Sequence, residues 1–215
     1  TDYNFMEHSF KGMDAIFHVA AKVGIWGDFD DFYNVNVVGT KNIIKACHRN
    51  KIKKLVYTSS PSVVFGKNDL CGVDESIKYP DEYVSNYART KAIAEKIILK
   101  ANNDLLATVA IRPHLVFGPG DQNLIPRVVE SAKLGKLKKV GDGQNLVDVI
   151  YIDNAVYAHI KAFLKLDIHS KVSGKTYFVG QENPVVLWQF IDQILHLNNI
   201  NPIKKKISGR LAYNM

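Results

Sequence analysis

Apolar residues recur along this chain in two alternating rhythms. Residues 14–21, Asp14-Ala15-Ile16-Phe17-His18-Val19-Ala20-Ala21, make a short, almost unbroken apolar run ending in small side chains, the pattern of a strand buried in a parallel sheet. From residue 32 to 49 the apolar positions are Phe32, Val35, Val38, Ile43, Ala46 and Cys47, a helical spacing that Gly39 weakens slightly. Residues 54–60 return to a strand, stopped by Pro61. Strand, helix and strand in that order predict a βαβ unit with a right-handed crossover. The alternation continues with a helix over 84–101, a strand over 108–112 broken by Pro113, and a helix over 124–134 stopped by Gly135. A tight turn at Gly141-Asp142-Gly143 precedes a strand over 147–151, and helices over 152–166 and 187–197 flank a strand over 176–179. This order predicts an α/β protein with a doubly wound parallel sheet, whose ligands sit at the carboxyl ends of the strands. Residues 20–21, 59–60 and 113–114 fall at such ends.

At 215 residues the chain is long enough to bury one large core. Its 47% hydrophobic and 23% charged residues argue against a disordered or fibrous chain. No apolar run approaches the roughly 18 residues of a membrane span. The start, Thr1-Asp2-Tyr3-Asn4, has neither the basic nor the apolar stretch of a leader, so a soluble, cytoplasmic protein is expected. Cys47 and Cys71 show no metal or redox spacing and read as reduced thiols. The net charge of +7 raises the question of nucleic acid. The lysines are scattered, however, at 51–54, 136–139 and 204–206, without interleaved aromatic residues for stacking. They read as solvated faces whose field favours a phosphorylated small molecule, and no nucleic-acid partner is expected. His48, His159, His169 and His196 lie on separate elements, so no metal is expected either.

Chemistry first shows in Tyr87 and Lys91, four residues apart and therefore on one face of the helix over 84–101. An ammonium there stabilises a phenolate and draws the tyrosine from about 10 towards neutral pH, where it gives and takes protons. A serine hydroxyl from the end of the strand Tyr57-Thr58-Ser59-Ser60 would bind the same substrate oxygen. The spacing alone is common on solvated helix faces; the surrounding sequence gives it weight. His18, at the end of a buried strand, reads as a satisfied core histidine ahead of a base. His114, just after Pro113, reads evenly as either. Trp26 and Phe29 read first as packing beneath their loop and second as a cover for an apolar substrate, and Asp142 reads as a turn residue.

The motifs His18-Val19-Ala20-Ala21, Asn34-Val35-Asn36-Val37-Val38-Gly39-Thr40, Tyr57-Thr58-Ser59-Ser60, Tyr87 with Lys91, Arg112-Pro113 followed by Phe117-Gly118-Pro119-Gly120-Asp121, and Val149-Ile150-Tyr151-Ile152-Asp153-Asn154-Ala155 stand in a fixed order. That order resembles the extended short-chain dehydrogenase/reductases. Within them the chain is most similar to the 3β-hydroxysteroid dehydrogenase/isomerase branch, near the sterol-4α-carboxylate 3-dehydrogenases and 2-alkyl-3-oxoalkanoate reductases. The resemblance implies a Rossmann-type doubly wound parallel sheet, truncated at its amino end, with a small carboxyl-terminal substrate-binding region. Residues 1–122 would be an incomplete NAD(P)-binding core carrying the active site, and 123–215 the substrate-binding region interleaved with late Rossmann elements. It further implies NAD or NADP as cofactor and hydride transfer between a 3β-hydroxyl and a ketone on a small apolar steroid-like or long-chain acyl substrate. Tyr87 would be the acid/base, Lys91 would hold the nicotinamide ribose and lower the Tyr87 pKa, and Ser60 would bind the reacting oxygen, with Ser59 and Ser62 as close rivals. Ala20, Ala21, Lys22, Thr58 and Ser59 would line the cofactor, and Pro113, His114 and Leu115 would flank its nicotinamide end. Ser62, His114 and Asn123 would join Ser60 at the substrate, while Asn36 would fasten helix to sheet. A homodimer through the helix of Tyr87 is expected on the same ground.

The family opens with a strand, a Gly-x-x-Gly-x-x-Gly turn and a helix whose amino terminus holds the dinucleotide pyrophosphate. Thr1-Asp2 enters where about 60 such residues would already have passed, and Gly24-Ile25-Trp26-Gly27 lacks the spacing of that turn. The chain also ends, at Met215, inside the substrate-binding region. A fragment, or the product of a split or decayed gene, is therefore expected, with active-site residues present and weak cofactor affinity. Two other functions stay open. A nucleotide-sugar epimerase or dehydratase shares the fold but usually carries Arg-x-x-Asn-x-x-Gly-Pro where Arg112 to Pro119 places Leu115 in the Asn position. A non-catalytic scaffold would explain the missing glycine turn but not the joint presence of Ser60, Tyr87 and Lys91.

Overall fold

The computed structural model describes residues 1–24 and 26–209. Ile25 of the Gly24–Gly27 stretch and the chain end at Met215 lie outside the described residues. The chain divides into two compact units: residues 1–113 with 156–179, and residues 114–155 with 180–215.

The first unit is built on a parallel sheet of four strands, β1 (Ala15–His18), β2 (Lys54–Thr58), β3 (Ala107–Pro113) and β8 (Lys175–Val179), in the order β1-β2-β3-β8. Its register pairs His18 with Tyr57, Thr58 with Ile111 and Pro113 with Val179. Side chains alternate across the strands, and both faces are covered. Leu55, Tyr57 and Ala110 pack with Ile43 and Cys47 of helix α3 (Gly39–Arg49) and Ala94 and Ile98 of α4 (Asn86–Lys100). Val56, Val109 and Ile111 face the other way, against Ala162 and Phe163 of α6 (Ile152–Lys165) and against Leu166. Burial on both sides explains why these strands read as continuous apolar runs rather than as alternating ones.

The predicted helix over 32–49 is longer and is not uniform. It runs as α2 (Phe29–Tyr33), a π-helical turn (Asn34–Val38) and α3. The π turn inserts one extra residue, a device frequent at functional sites. The Thr40 hydroxyl donates to the Asn36 carbonyl at 2.6 Å and closes the irregular turn. A short helix that the sequence reading missed, α1 (Tyr3–Ser9), opens the chain, capped by the Asp2 side chain accepting from the Phe5 amide at 3.1 Å.

The second unit uses short paired strands. The predicted strand over 147–151 is split at Asp148: β6 (Leu146–Val147) pairs antiparallel with β9 (Val185–Val186), and β7 (Val149–Tyr151) pairs parallel with β4 (Leu115–Phe117). Four apolar residues interrupted by Asp148 are compatible with one strand or with two short edges, and pattern alone does not separate them. Helices α5 (Leu124–Lys133) and α7 (Leu187–Leu197) pack through Val128, Ala132, Trp188, Ile191 and Leu195. The remaining pair is β5 (Lys139–Val140) with β10 (Lys206–Ile207). At Gly118 the backbone has φ +148°, and a Cβ there would lie 2.5 Å from Ile152 Cγ2, so only glycine fits.

Candidate active site

Helix α4 begins where its cap dictates. The Ser85 hydroxyl accepts from the Ala88 amide at 3.1 Å, so Tyr87 falls in the first turn and Lys91 one turn later. The Lys91 side chain lies over the Tyr57 ring, 4.2 Å from its centroid, and donates to the Thr58 carbonyl at 2.6 Å. This pins α4 to the carboxyl end of β2. Beyond Thr58 the Ser59 amide donates to the Ile111 carbonyl at 2.6 Å. The chain then turns at a 3-10 segment (Pro61–Val64) capped by Ser60, which accepts from the Ser62 amide at 3.2 Å and shares a 2.8 Å hydroxyl contact with Ser62. Ser60 also lies near enough to the Tyr87 hydroxyl to favour its ionised form. Ser60, Tyr87 and Lys91 thus converge at one strand end, which sequence spacing could suggest but not place.

The electrostatics differ from the spacing argument. Burial pushes the Tyr87 hydroxyl above its usual value, and the Ser60 contact only partly offsets this. Lys91, 2% exposed, is itself pushed down to about 7 by burial, with the Glu95 carboxylate holding it up. Desolvation acts on both groups and disfavours each charged form, which opposes the expected pull of the Lys91 ammonium on Tyr87. Tyr87 is therefore a neutral phenol at pH 7.

The residues expected to line a cofactor are held by a second network. The Asn36 side chain accepts from the Lys22 amide at 2.8 Å and donates to the Lys22 carbonyl and to Thr90 Oγ1, both at 3.1 Å. Asn36 thereby fastens the segment Ala20-Ala21-Lys22 after β1 to α4. Lys22 Nζ pairs with Asp31 at 3.0 Å. His18 is buried, and its Nε2 lies 2.8 Å from Thr40 Oγ1. Thr40 spends its proton on the Asn36 carbonyl, so His18 Nε2 must be the donor and Nδ1 the bare acceptor. That Nδ1 is buried without a hydrogen-bond partner among the described residues, and burial, then Lys91, push the imidazole down to about 3. His18 is neutral and only half satisfied, unlike the fully satisfied core histidine expected.

Thr58 is occupied on both polar groups, its carbonyl by Lys91 and its hydroxyl by His159 Nε2 at 2.8 Å. Ser59 is 4% exposed, and its buried hydroxyl has no partner among the described residues. Pro113 closes β3. His114, Leu115 and Asn123 belong to the second unit. There His114 Nδ1 lies 3.8 Å from an Asp148 oxygen, Leu115 is exposed on β4, and Asn123 is an exposed residue just before α5 whose amide donates to Asp121 at 2.8 Å. Trp26 does not pack beneath its loop: it is 89% exposed and, with Gly27, Tyr83, Val84, Asn86 and Arg89, lines a cleft of about 660 Å³ at the start of α4. Phe29 does pack, against Tyr33 and under the Arg89 guanidinium.

Sequence reasoning missed the groups beneath the site. Glu95 is fully buried and takes a forked pair from Arg112, at 3.0 Å from Nε and 2.6 Å from Nη2, with Tyr79 donating to it at 2.6 Å. The available signal was the spacing from Lys91 to Glu95, a second step of four along the same helix face.

With this geometry in place, comparison with known proteins is decisive. A sequence model of the 3-beta hydroxysteroid dehydrogenase/isomerase family matches residues 1–207. The chain belongs to that family. Among related proteins, a 2-alkyl-3-oxoalkanoate reductase of Shewanella oneidensis is 45% identical over 97% of this chain and 56% of its own length. A 3beta-hydroxysteroid-dehydrogenase/decarboxylase of Arabidopsis thaliana is 42% identical over 86% of this chain and 44% of its own. The human decarboxylating sterol-4-alpha-carboxylate 3-dehydrogenase is 38% identical over 86% and 50%. The chain thus spans about half the length of these relatives. Among solved structures, MoeE5 in complex with UDP-glucose and NAD matches with a TM-score of 0.78 at 24% identity, over 98% of this chain and 71% of that one. At that identity the likeness establishes the Rossmann-like α/β fold of this family member. No helix among its described residues is long and apolar enough to cross a membrane.

Proposed function

We propose that the chain carries the proton-handling site of an NAD(P)-dependent oxidoreductase that interconverts a 3β-hydroxyl and a ketone on a steroid-like or long-chain acyl substrate. The convergence of Ser60, Tyr87 and Lys91 at the carboxyl end of β2 carries this reading. In it the Tyr87 phenol gives its proton to the carbonyl oxygen in reduction and takes it back in oxidation, while Ser60, ordered by Ser62, holds that oxygen. Burial keeps Tyr87 protonated, so reduction starts from the dominant form and oxidation from the minority phenolate, which rises with pH.

The residues present suit a nicotinamide dinucleotide. An ammonium has three donors and Lys91 uses one of them on Thr58, while the buried Ser59 hydroxyl has no partner among the described residues, so both keep hydrogen-bonding capacity that a ribose diol could use. Ala20, Ala21, Lys22, Ser59, Lys91 and Pro113 are the residues proposed to hold it. When bound, the nicotinamide supplies or takes the hydride.

The relatives' names narrow the substrate further. A 2-alkyl-3-oxoalkanoate and a sterol 4-carboxylate oxidised at carbon 3 each carry a carboxylate on the carbon next to the reacting one. This supports a branched β-hydroxy or β-oxo carboxylate with a large apolar body. The cleft at the start of α4 offers apolar surface from Trp26, Tyr83 and Val84, with the Arg89 guanidinium set beside the carboxylates Asp81 and Glu82. A nucleotide-sugar substrate is less well served, because Leu115 cannot make the hydrogen bond of the asparagine usual there. The test is Tyr87→Phe, assayed for NADH and NADPH binding by fluorescence and for reduction of a 2-alkyl-3-oxo acid. Turnover should fall at least about a hundredfold with binding within about twofold of wild type; equal losses in both would make Tyr87 structural and overturn the proposal.

A further inference from the structure

We infer that the buried Glu95–Arg112 pair, one turn of α4 beyond Lys91, is the positioning pair of the candidate site and sets the charge that Lys91 carries. Lys91 and Glu95 stand on the same, inward face of α4, and Arg112, 2% exposed, reaches Glu95 from β3 just before Pro113. The Glu95 carboxylate receives three donors: Arg112 Nε on one oxygen, and Arg112 Nη2 and the Tyr79 hydroxyl on the other. The guanidinium is boxed between the rings of Tyr79 and Phe178, 5.8 and 5.0 Å from their centroids.

The count of charges gives this geometry its consequence. Two potential cations, Lys91 and Arg112, share one buried carboxylate, and a buried charge is costly unless paired. Arginine does not release its proton in proteins, and its fork matches the carboxylate. Arg112 therefore claims Glu95, and Lys91 is the group left to adjust. The other groups around Lys91 offer no anion: Tyr57 from β2 with a buried, unpartnered hydroxyl, the neutral imidazole of His18 from β1, Tyr87 on α4 itself, and the Thr58 carbonyl. Glu95 alone among these supports the ammonium, which agrees with its upward pull on a lysine that burial lowers to about 7. The importance of that charge for turnover rests on the role proposed for Lys91; the charge itself does not.

Lysine labelled with 13C at Cε and 15N at Nζ, observed by NMR in the full chain without cofactor or substrate and assigned with Lys91→Arg, reads the Lys91 titration directly. The wild-type midpoint is expected near 7. Glu95→Gln, which keeps the shape and removes the anion, should lower it by about one pH unit or more, and Arg112→Met, which frees the carboxylate, should raise it by a similar amount. Midpoints that move in the same direction, or not at all, would overturn the inference, since a pair that only packs has no reason to act with opposite signs. Should either single variant fail to fold by circular dichroism, Glu95→Met combined with Arg112→Met carries the test. Its Lys91 midpoint should then lie below that of Arg112→Met, or above that of Glu95→Gln, whichever single variant folds, because the two charges act on Lys91 with opposite signs, and a midpoint equal to that single variant's overturns the assignment. Because no turnover is measured, failure here leaves the proposed reaction standing, and failure of Tyr87→Phe leaves this result standing.

Discussion

Asn36→Ala is the substitution whose cost can be worked most directly from the structure. It removes three hydrogen bonds at once, one accepted from the Lys22 amide and two donated to the Lys22 carbonyl and to Thr90 Oγ1. Each such bond contributes about 0.5–1.5 kcal/mol net, and a buried group left unmatched costs more. Two considerations bring the total down. The Lys22 backbone is only partly buried, so water replaces some of what is lost, and Thr90 keeps its own donation to the Asn86 and Tyr87 carbonyls. The expected loss is therefore about 2–3 kcal/mol. Equilibrium urea unfolding followed by circular dichroism measures it, with an unchanged slope required for the comparison. Asn42→Ala, which deletes one exposed bond to the Thr1 carbonyl, is the control and should stay within about 0.5 kcal/mol of wild type. Dinucleotide affinity should fall as well, because the segment Ala20-Ala21-Lys22 loses its anchor. A stability change under about 1 kcal/mol would refute the view that Asn36, held by the π turn, is what ties this segment to α4.

Lys91→Met should stabilise the fold near neutral pH and abolish turnover. The lysine is pushed from 10.5 to about 7 on folding, so between those values the unfolded chain binds more protons, and wild-type stability rises with pH across that window. The advantage of the methionine variant is thus largest at pH 7 and shrinks by pH 9.5, and a difference independent of pH in urea unfolding would contradict the assignment. Gly118→Ala forces a side chain onto a φ of +148° and into Ile152, and should cost at least about 2 kcal/mol by thermal or urea unfolding. A thiol reagent under native conditions should modify exposed Cys71 rapidly and spare Cys47, which is buried and pushed up to about 12; equal rates would place Cys47 outside the core.

What the sequence discloses and what it hides divide along a physical line. Strands β2 and β3 and helices α4 and α7 are legible because burial on both sheet faces, or on one helix face, writes a period into the sequence. The split of residues 147–151 at Asp148 is not, since a single polar residue is tolerated within one strand as well as between two, and partner choice is a long-range matter. At the site, the step from Tyr87 to Lys91 is a local repeat and can be read; the state of those groups cannot, because it depends on desolvation that arises only when α4 closes on β2. Spacing argues from the attraction between an ammonium and a phenolate, whereas burial weakens both charged forms before that attraction acts. A fixed charge buried beside Lys91 then offsets part of that cost. Here that charge is Glu95, shared with Arg112 from a strand seventeen residues further on, and a contact of that kind is invisible to any local pattern. What offsets the burial of Lys91 therefore lies one layer below the motif that announces it.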